Sequence, residues 1–157
     1  MTTPYEQLAK LNITLPPVGV PAAAYVPFAQ TGNLVFLSGH IAKRDGKVWA
    51  GKLGNNMVTM DGSAAARAVA IDLLGTLEAA CTAAGKDLNA VKRIVKIMGL
   101  VNSTDSYIEQ HLVINGASEL IAEIFGSTVG NHARSAFGVI QLPLGACVEI
   151  EMMVELS

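Results

Sequence analysis

Two stretches near the end of the chain alternate apolar and polar positions at the period of a β-strand. They run from Ala133 to Leu142 and from Ala146 to Glu155, with Pro143-Leu144-Gly145 as a turn between them. Successive strand residues point to opposite sheet faces. On the second arm Val148, Ile150, Met152, Val154 and Leu156 therefore form one apolar row, and Cys147, Glu149, Glu151, Met153 and Glu155 form the other. One row builds a core and the other carries carboxylates. On the first arm Arg134 shares a face with Ala136, Gly138 and Ile140, a long cation over small neighbours that leave room for a ligand. The two arms read as a terminal hairpin, with Glu149 placed to sit across from Arg134.

The rest of the pattern supplies the elements around this pair. Thr3 to Leu11 reads as a short helix, capped by Thr2 or Thr3 with Pro4 in its first turn, and Pro16 to Pro21 as an extended connector. Tyr25 to Ala29 and Leu34 to Ser38 read as strands joined by the turn formers Gln30-Thr31-Gly32-Asn33, with Ser38-Gly39 ending the second. Backbone at Gly39 can approach a ligand or another chain, and Ser38 adds a hydroxyl; a strand end that simply needs a bend explains both as well. A polar turn at Lys43 to Lys47 leads to a short Val48-Trp49-Ala50 strand. There the Trp ring serves either as a ligand platform or, more commonly, as cover for a sheet edge.

From Ser63 to Ala84 the period becomes helical. Ala66, Val69, Ala70, Leu73, Leu74, Leu77, Ala80, Cys81 and Ala84 form one stripe, Thr59 or Asp61 can cap its start, and Gly85 can close its end. Val91 to Val101 is strand-like but apolar on both faces, whereas a strand covered on one side alternates. A second subunit is the expected cover for its outer face. A turn of helix at Ser106 to His111 and a second helix from about Val113 to Phe125 complete the order. This predicts an α+β domain with two main helices packed on one face of a mainly antiparallel sheet.

Composition narrows the function classes. The 157 residues make one domain, 1–157, with an N-terminal helix and connector over 1–22. Lys and Arg total 11 against 13 for Asp and Glu, so there is no basic footprint and nucleic acid is a disfavoured partner. The chain is 51% apolar and only 15% charged, yet it holds no run of about 20 uncharged apolar residues; an oligomer accounts for the excess better than a membrane. Met1 to Glu6 lack the basic start and apolar block of a secretory signal, which makes cytoplasmic the expectation. Cys81 and Cys147 read as small buried hydrophobes. His40, His111 and His132 have no metal-ligand spacing, and no phosphate-cradling glycine motif occurs, so neither metal nor cofactor is expected.

Two blocks resemble a known family. The run Ala133-Arg134-Ser135, an apolar strand, Leu142-Pro143, a turn and Val148-Glu149-Ile150-Glu151 resembles the C-terminal signature of the RidA family (YjgF/YER057c/UK114, endoribonuclease L-PSP-like). Tyr25-Val26 followed by Gly32 to Ile41 resembles its N-terminal strand pair. The resemblance covers nearly the whole chain from about Ala23. It implies a chorismate-mutase-like fold assembled as a homotrimer around a central β-barrel, with sites in clefts between subunits. It also implies hydrolysis of 2-imino or enamine acids to 2-oxo acids and ammonia without a cofactor. By that likeness Arg134 would bind the substrate carboxylate and Glu149 would position the hydrolytic water. Tyr25, Ser38 and Gly39 would contact the substrate, as would Asn115 from the neighbouring helix and Ala136 through its carbonyl. On the residues alone, an internal salt bridge from Arg134 to Glu149 or Glu151 is the competing reading. The chain departs from the pattern in having His132-Ala133-Arg134-Ser135-Ala136 where the best-known members have Pro-Ala-Arg-Ser-Cys. That places it in a longer subgroup that need not share the deaminase substrate. His132 adds a group that titrates near neutrality, although a lone His before a strand more often packs or faces solvent. A non-catalytic binding module for small carboxylates and an endoribonuclease are the alternatives.

Overall fold

Strand β5, Val91–Asn102, hydrogen-bonds along both of its edges, and that decides the architecture. The computed structural model describes residues 2–19 and 23–157, so the expected connector at Val20 and Pro21 lies outside the described residues. The other strands of the main sheet are β1 (Phe28–Thr31), β2 (Leu34–Ile41), β6 (Ala133–Val139) and β7 (Val148–Leu156), in the order β1-β2-β7-β5-β6. Only β5 and β6 run parallel. A two-stranded ribbon, β3 (Lys43–Arg44) and β4 (Lys47–Val48), follows β2, and Arg44 stacks 4.5 Å over the Trp49 ring.

Helices α2 (Thr59–Ala83) and α3 (Gln110–Gly130) pack on each other and on one face of the sheet. Helix α2 begins four residues before the expected Ser63. Val58 takes the cap position, and its N–H donates to Asp61 Oδ2, a terminus carried by the carboxylate rather than by periodicity. The predicted stripe is buried from Ala66 to Cys81, and Gly85 closes the helix with φ +70°. In α3, Val113, Ile114, Ala117, Leu120, Ile121 and Ile124 are buried, and Gly126 interrupts the helix with φ +75°. Its composition and length would let it cross a bilayer. Here it carries Glu119 and Glu123 and lies against α2, β5 and β6. Helix α1 (Pro4–Lys10) starts at Thr3, whose hydroxyl accepts from Glu6 N while Glu6 Oε2 accepts from Thr3 N.

The terminal hairpin does not form. β5 lies between β6 and β7, because α3 returns the chain beside β5 in the parallel sense and residues 140–147 then cross to its other side. Pro143-Leu144-Gly145 is a turn as expected, with Leu144 at φ +59°, but it belongs to that crossing. The buried Asn102 side chain holds the crossing through Gln141 Oε1 and Ala146 O, and Lys52 Nζ donates to Asn102 Oδ1 and Ile140 O. Two other boundaries move. Tyr25 lies in a bend and Val26 outside any strand, so β1 begins only at Phe28. Ser38-Gly39 bulges β2 without ending it, since pairing with β7 resumes at His40.

The sheet has one covered face and one open face. Ile94, Ile97 and Val101 of β5 and the row Val148 to Leu156 of β7 are buried under the helices. On the other face Met98, Leu100 and Met153 are partly exposed, Phe36 is 38% exposed and Phe137 43% exposed. This is the second apolar face read from β5, and none of the described residues covers it.

Candidate functional site

Arg134 stands on the covered face at the β6 edge. It pairs with the buried Ile97, so its side chain rises toward α3. Nη1 donates to Asn115 Oδ1 at 2.8 Å and to Ser118 Oγ at 3.2 Å, and Nη2 donates to the His111 carbonyl at 3.2 Å. All three acceptors are neutral. Among the described residues the one salt bridge is Lys92–Glu155, so the internal ion pair weighed for Arg134 is absent. A guanidinium offers five N–H donors, and three bonds leave Nε–H and one Nη2 hydrogen free. Beside it Asn115, Ser118, Asn131, His132 and Arg134 line an open depression of about 420 Å³. One cation among neutral polar groups, with donors to spare, is a place for a single small anion.

His132 belongs to this depression. Its Nδ1 lies 2.6 Å from the Gly130 carbonyl and its Nε2 2.9 Å from Ser118 Oγ. Burial lowers its pKa below the ordinary 6.5, and the neighbouring Arg134 charge adds to that. Sequence reasoning set His132 aside and missed Ser118. The signal for Ser118 was its spacing of three from Asn115, which puts two polar side chains together on one side of the helix.

Glu149 lies elsewhere. It pairs with Leu100 and Ile41, while its neighbour Ile150 pairs with Gly99, whose Cβ, if present, would meet Ile114 of α3. Ile150 therefore faces the helices and Glu149 the open face, opposite to Arg134. Two strand spacings and three residues of rise separate them by roughly 14 Å between Cα positions. The expected juxtaposition across a hairpin is thus corrected for the single chain, because β5 intervenes. Partial burial raises the Glu149 pKa above 4.5, and the like charge of Glu151 raises it further.

The remaining predicted residues divide between these two places. Asn115 is bonded to Arg134, and Ala136 shares its face, packed toward the core without lining the depression. Gly39 lies against Glu149, where a Cβ would overlap the carboxylate. Ser38 is tied to the bend before β1, its N–H donating to the Pro27 carbonyl and its hydroxyl to the Val26 carbonyl at 2.6 Å. Tyr25, 49% exposed, belongs to that bend. Tyr25, Ser38, Gly39 and Glu149 thus follow β1, β2 and β7, while Arg134, Asn115 and Ala136 occupy the β6 end.

The family described as "YjgF/chorismate_mutase-like, putative endoribonuclease" matches residues 6–156. The chain belongs to the YjgF/RidA family. Protein TCP17 of Trypanosoma cruzi is 44% identical over 151 residues, covering 96% of this chain and 92% of that protein. Protein Atu1372 of Agrobacterium tumefaciens, of unknown function, is 38% identical with a TM-score of 0.86, covering 99% of this chain and 94% of that one. A Shewanella oneidensis protein named as a putative endoribonuclease superposes with a TM-score of 0.91 at 29% identity, covering 99% of this chain and all of the other. The fold is accordingly the chorismate-mutase-like YjgF fold.

Among the described residues no three His, Cys, Asp or Glu side chains converge as a metal site would require. Both cysteines are buried, and burial pushes each thiol up to about 11, far from the thiolate a nucleophile needs.

Proposed function

We propose that the protein hydrolyses reactive 2-imino and enamine acids to 2-oxo acids and ammonia, in a cleft composed from two copies of the chain. The observation that carries this reading is the Arg134 guanidinium, fixed by neutral acceptors and left with two free donors over a depression of the size of a small acid. The substrate carboxylate docks there. Glu149, with its raised pKa, takes a proton from water as the oxygen adds to the C=N carbon and passes it to the nitrogen, giving a carbinolamine. The same carboxylate then moves the new hydroxyl's proton to the nitrogen as the C=O bond forms, the C–N bond breaks and ammonia leaves.

The two halves lie on opposite faces and toward opposite ends of the strand order, so one chain does not close the site. A head-to-tail contact, in which the β6 end of one copy meets the β1–β2 end of the next, brings a guanidinium to a neighbour's carboxylate and generates a ring when the rotation closes. Three copies, with the open faces lining a central barrel, cover the exposed Phe36 and Phe137. The test is ammonia release from 2-iminopropanoate generated in solution. Wild type accelerates it, and Arg134→Ala and Glu149→Ala each lose the acceleration while keeping the fold; an unchanged decay rate with wild type overturns the reading.

A binding module without turnover is the second reading, favoured by the separation of Arg134 from Glu149 within the chain. Saturable calorimetric binding of 2-oxo acids with no ammonia release from any imine supports it. The endoribonuclease description attached to the family is the weaker third reading, because a net charge of −2 and a single cation in the depression suit one small anion better than a polyanion.

A further inference from the structure

The chain Arg134–Ser118–His132 permits only one arrangement of protons when the ring is neutral. The Gly130 carbonyl can only accept, so Nδ1 carries the hydrogen at that 2.6 Å contact. Nε2 is then a lone pair and accepts from the Ser118 hydroxyl at 2.9 Å. The same Ser118 oxygen accepts from Arg134 Nη1. In this state Ser118 spends its hydrogen on the ring and has none for a ligand in the depression that it lines.

We infer that an anion docking on Arg134 is bound together with one proton, taken up at His132 Nε2, and that Ser118 turns its hydroxyl from the ring to the anion. Protonated Nε2 donates to Ser118 Oγ, so the hydroxyl hydrogen is released and swings into the depression as a third donor beside the two free hydrogens of Arg134. The anion's charge offsets the guanidinium, which in the empty site opposes protonation of the ring. Of the charged and titratable groups on the elements around His132, Lys92 of β5 is paired with Glu155, and Arg93 of β5 and His111 of α3 are not among the charges acting on the ring. Glu119 and Glu123 of α3 are exposed and pair with neither Arg134 nor His132. Lys96 of β5 leaves the sheet on the open face, and Arg134 is the one charge acting on the ring. His132 is thus a specificity-determining partner of Arg134 that acts through Ser118. The site favours a small carboxylic acid that offers Ser118 an acceptor.

This inference rests on the anion-binding reading of Arg134, and the experiment separates the two. The full chain is titrated with pyruvate by calorimetry between pH 6 and 8, in pairs of buffers with different heats of ionisation. Wild type takes up protons on binding, and its affinity falls as pH rises, approaching about tenfold per pH unit between the pKa of the empty site and the higher pKa of the bound state. His132→Gln binds without proton uptake and with a flat pH profile, and Arg134→Ala does not bind. The His132 Nε2 nitrogen resonance moves to its protonated position as pyruvate saturates the site. Binding by wild type without proton uptake, or uptake that persists in His132→Gln, overturns the coupling and leaves the anion site standing. Absence of pyruvate binding by wild type overturns both.

Discussion

Gly39 has space for a hydrogen and nothing larger, because the Glu149 carboxylate lies where its Cβ would be. Gly39→Ala therefore pushes aside the flexible end of Glu149 rather than backbone. Its imine hydrolysis should fall while pyruvate binding at Arg134 is kept, as kinetics and calorimetry on one preparation would show. Arg134→Lys keeps a charge but not the planar fork that holds Asn115, Ser118 and His111 together. Loss of a charge-assisted pair worth about 1.5–3 kcal/mol corresponds to roughly 10- to 100-fold weaker pyruvate binding. Arg134 stood out in the sequence as a cation over small strand neighbours, whereas Asn115 entered only through the likeness to the family; the fold sets the two 2.8 Å apart. Ser118 and His132 did not stand out, because a Ser on a helix and a His before a strand are ordinary until the fold sets them 2.9 Å apart.

At the level of elements, the two main helices approach closely at glycines, Gly62 of α2 against the Val113 side chain and Gly116 of α3 against backbone. A Cβ on Gly116 of α3 would overlap the Ser63 carbonyl oxygen of α2, which is backbone and cannot swing away. Gly116→Ala should destabilise the protein by about 1–3 kcal/mol, read as a lower denaturant midpoint. The helical stripes and the two-faced β5 were legible because burial enforces their periods directly. The partner of each strand was not. A Pro-Leu-Gly turn between two alternating runs is a strong hairpin signal, and nothing local reports that the buried Asn102 will pin the 140–147 segment as a crossing. The Ser38-Gly39 bulge was read as a strand end for a similar reason. A Gly after a polar residue looks the same in both cases, and only the resumed pairing of His40 with Ile150 tells them apart.

For the whole molecule, two half-buried histidines set the response to acid. His40 donates from Nδ1 to the Ser38 carbonyl and meets the Thr76 hydroxyl through Nε2, His132 donates from Nδ1 to the Gly130 carbonyl and meets Ser118 through Nε2, and burial lowers both pKa values below 6.5. The unfolded chain binds these protons first. Stability is therefore full above about pH 6.5 and falls as pH drops from there through the folded values. Melting temperatures recorded from pH 7.5 to 5.5 should decline, and His40→Gln or His132→Gln should reduce that decline. In the proposed assembly the open sheet face, with Phe36 and Phe137 exposed, is a contact between copies; sedimentation should return a trimer, and a monomer at micromolar concentration would contradict that assembly. The most direct test of the account is a crystal of the full chain soaked in pyruvate. It should show the carboxylate on Nε and Nη2 of Arg134, with the Glu149 of a second copy facing the bound carbon. An empty depression, with Arg134 neutralised by an acidic side chain of a neighbouring copy, would contradict it.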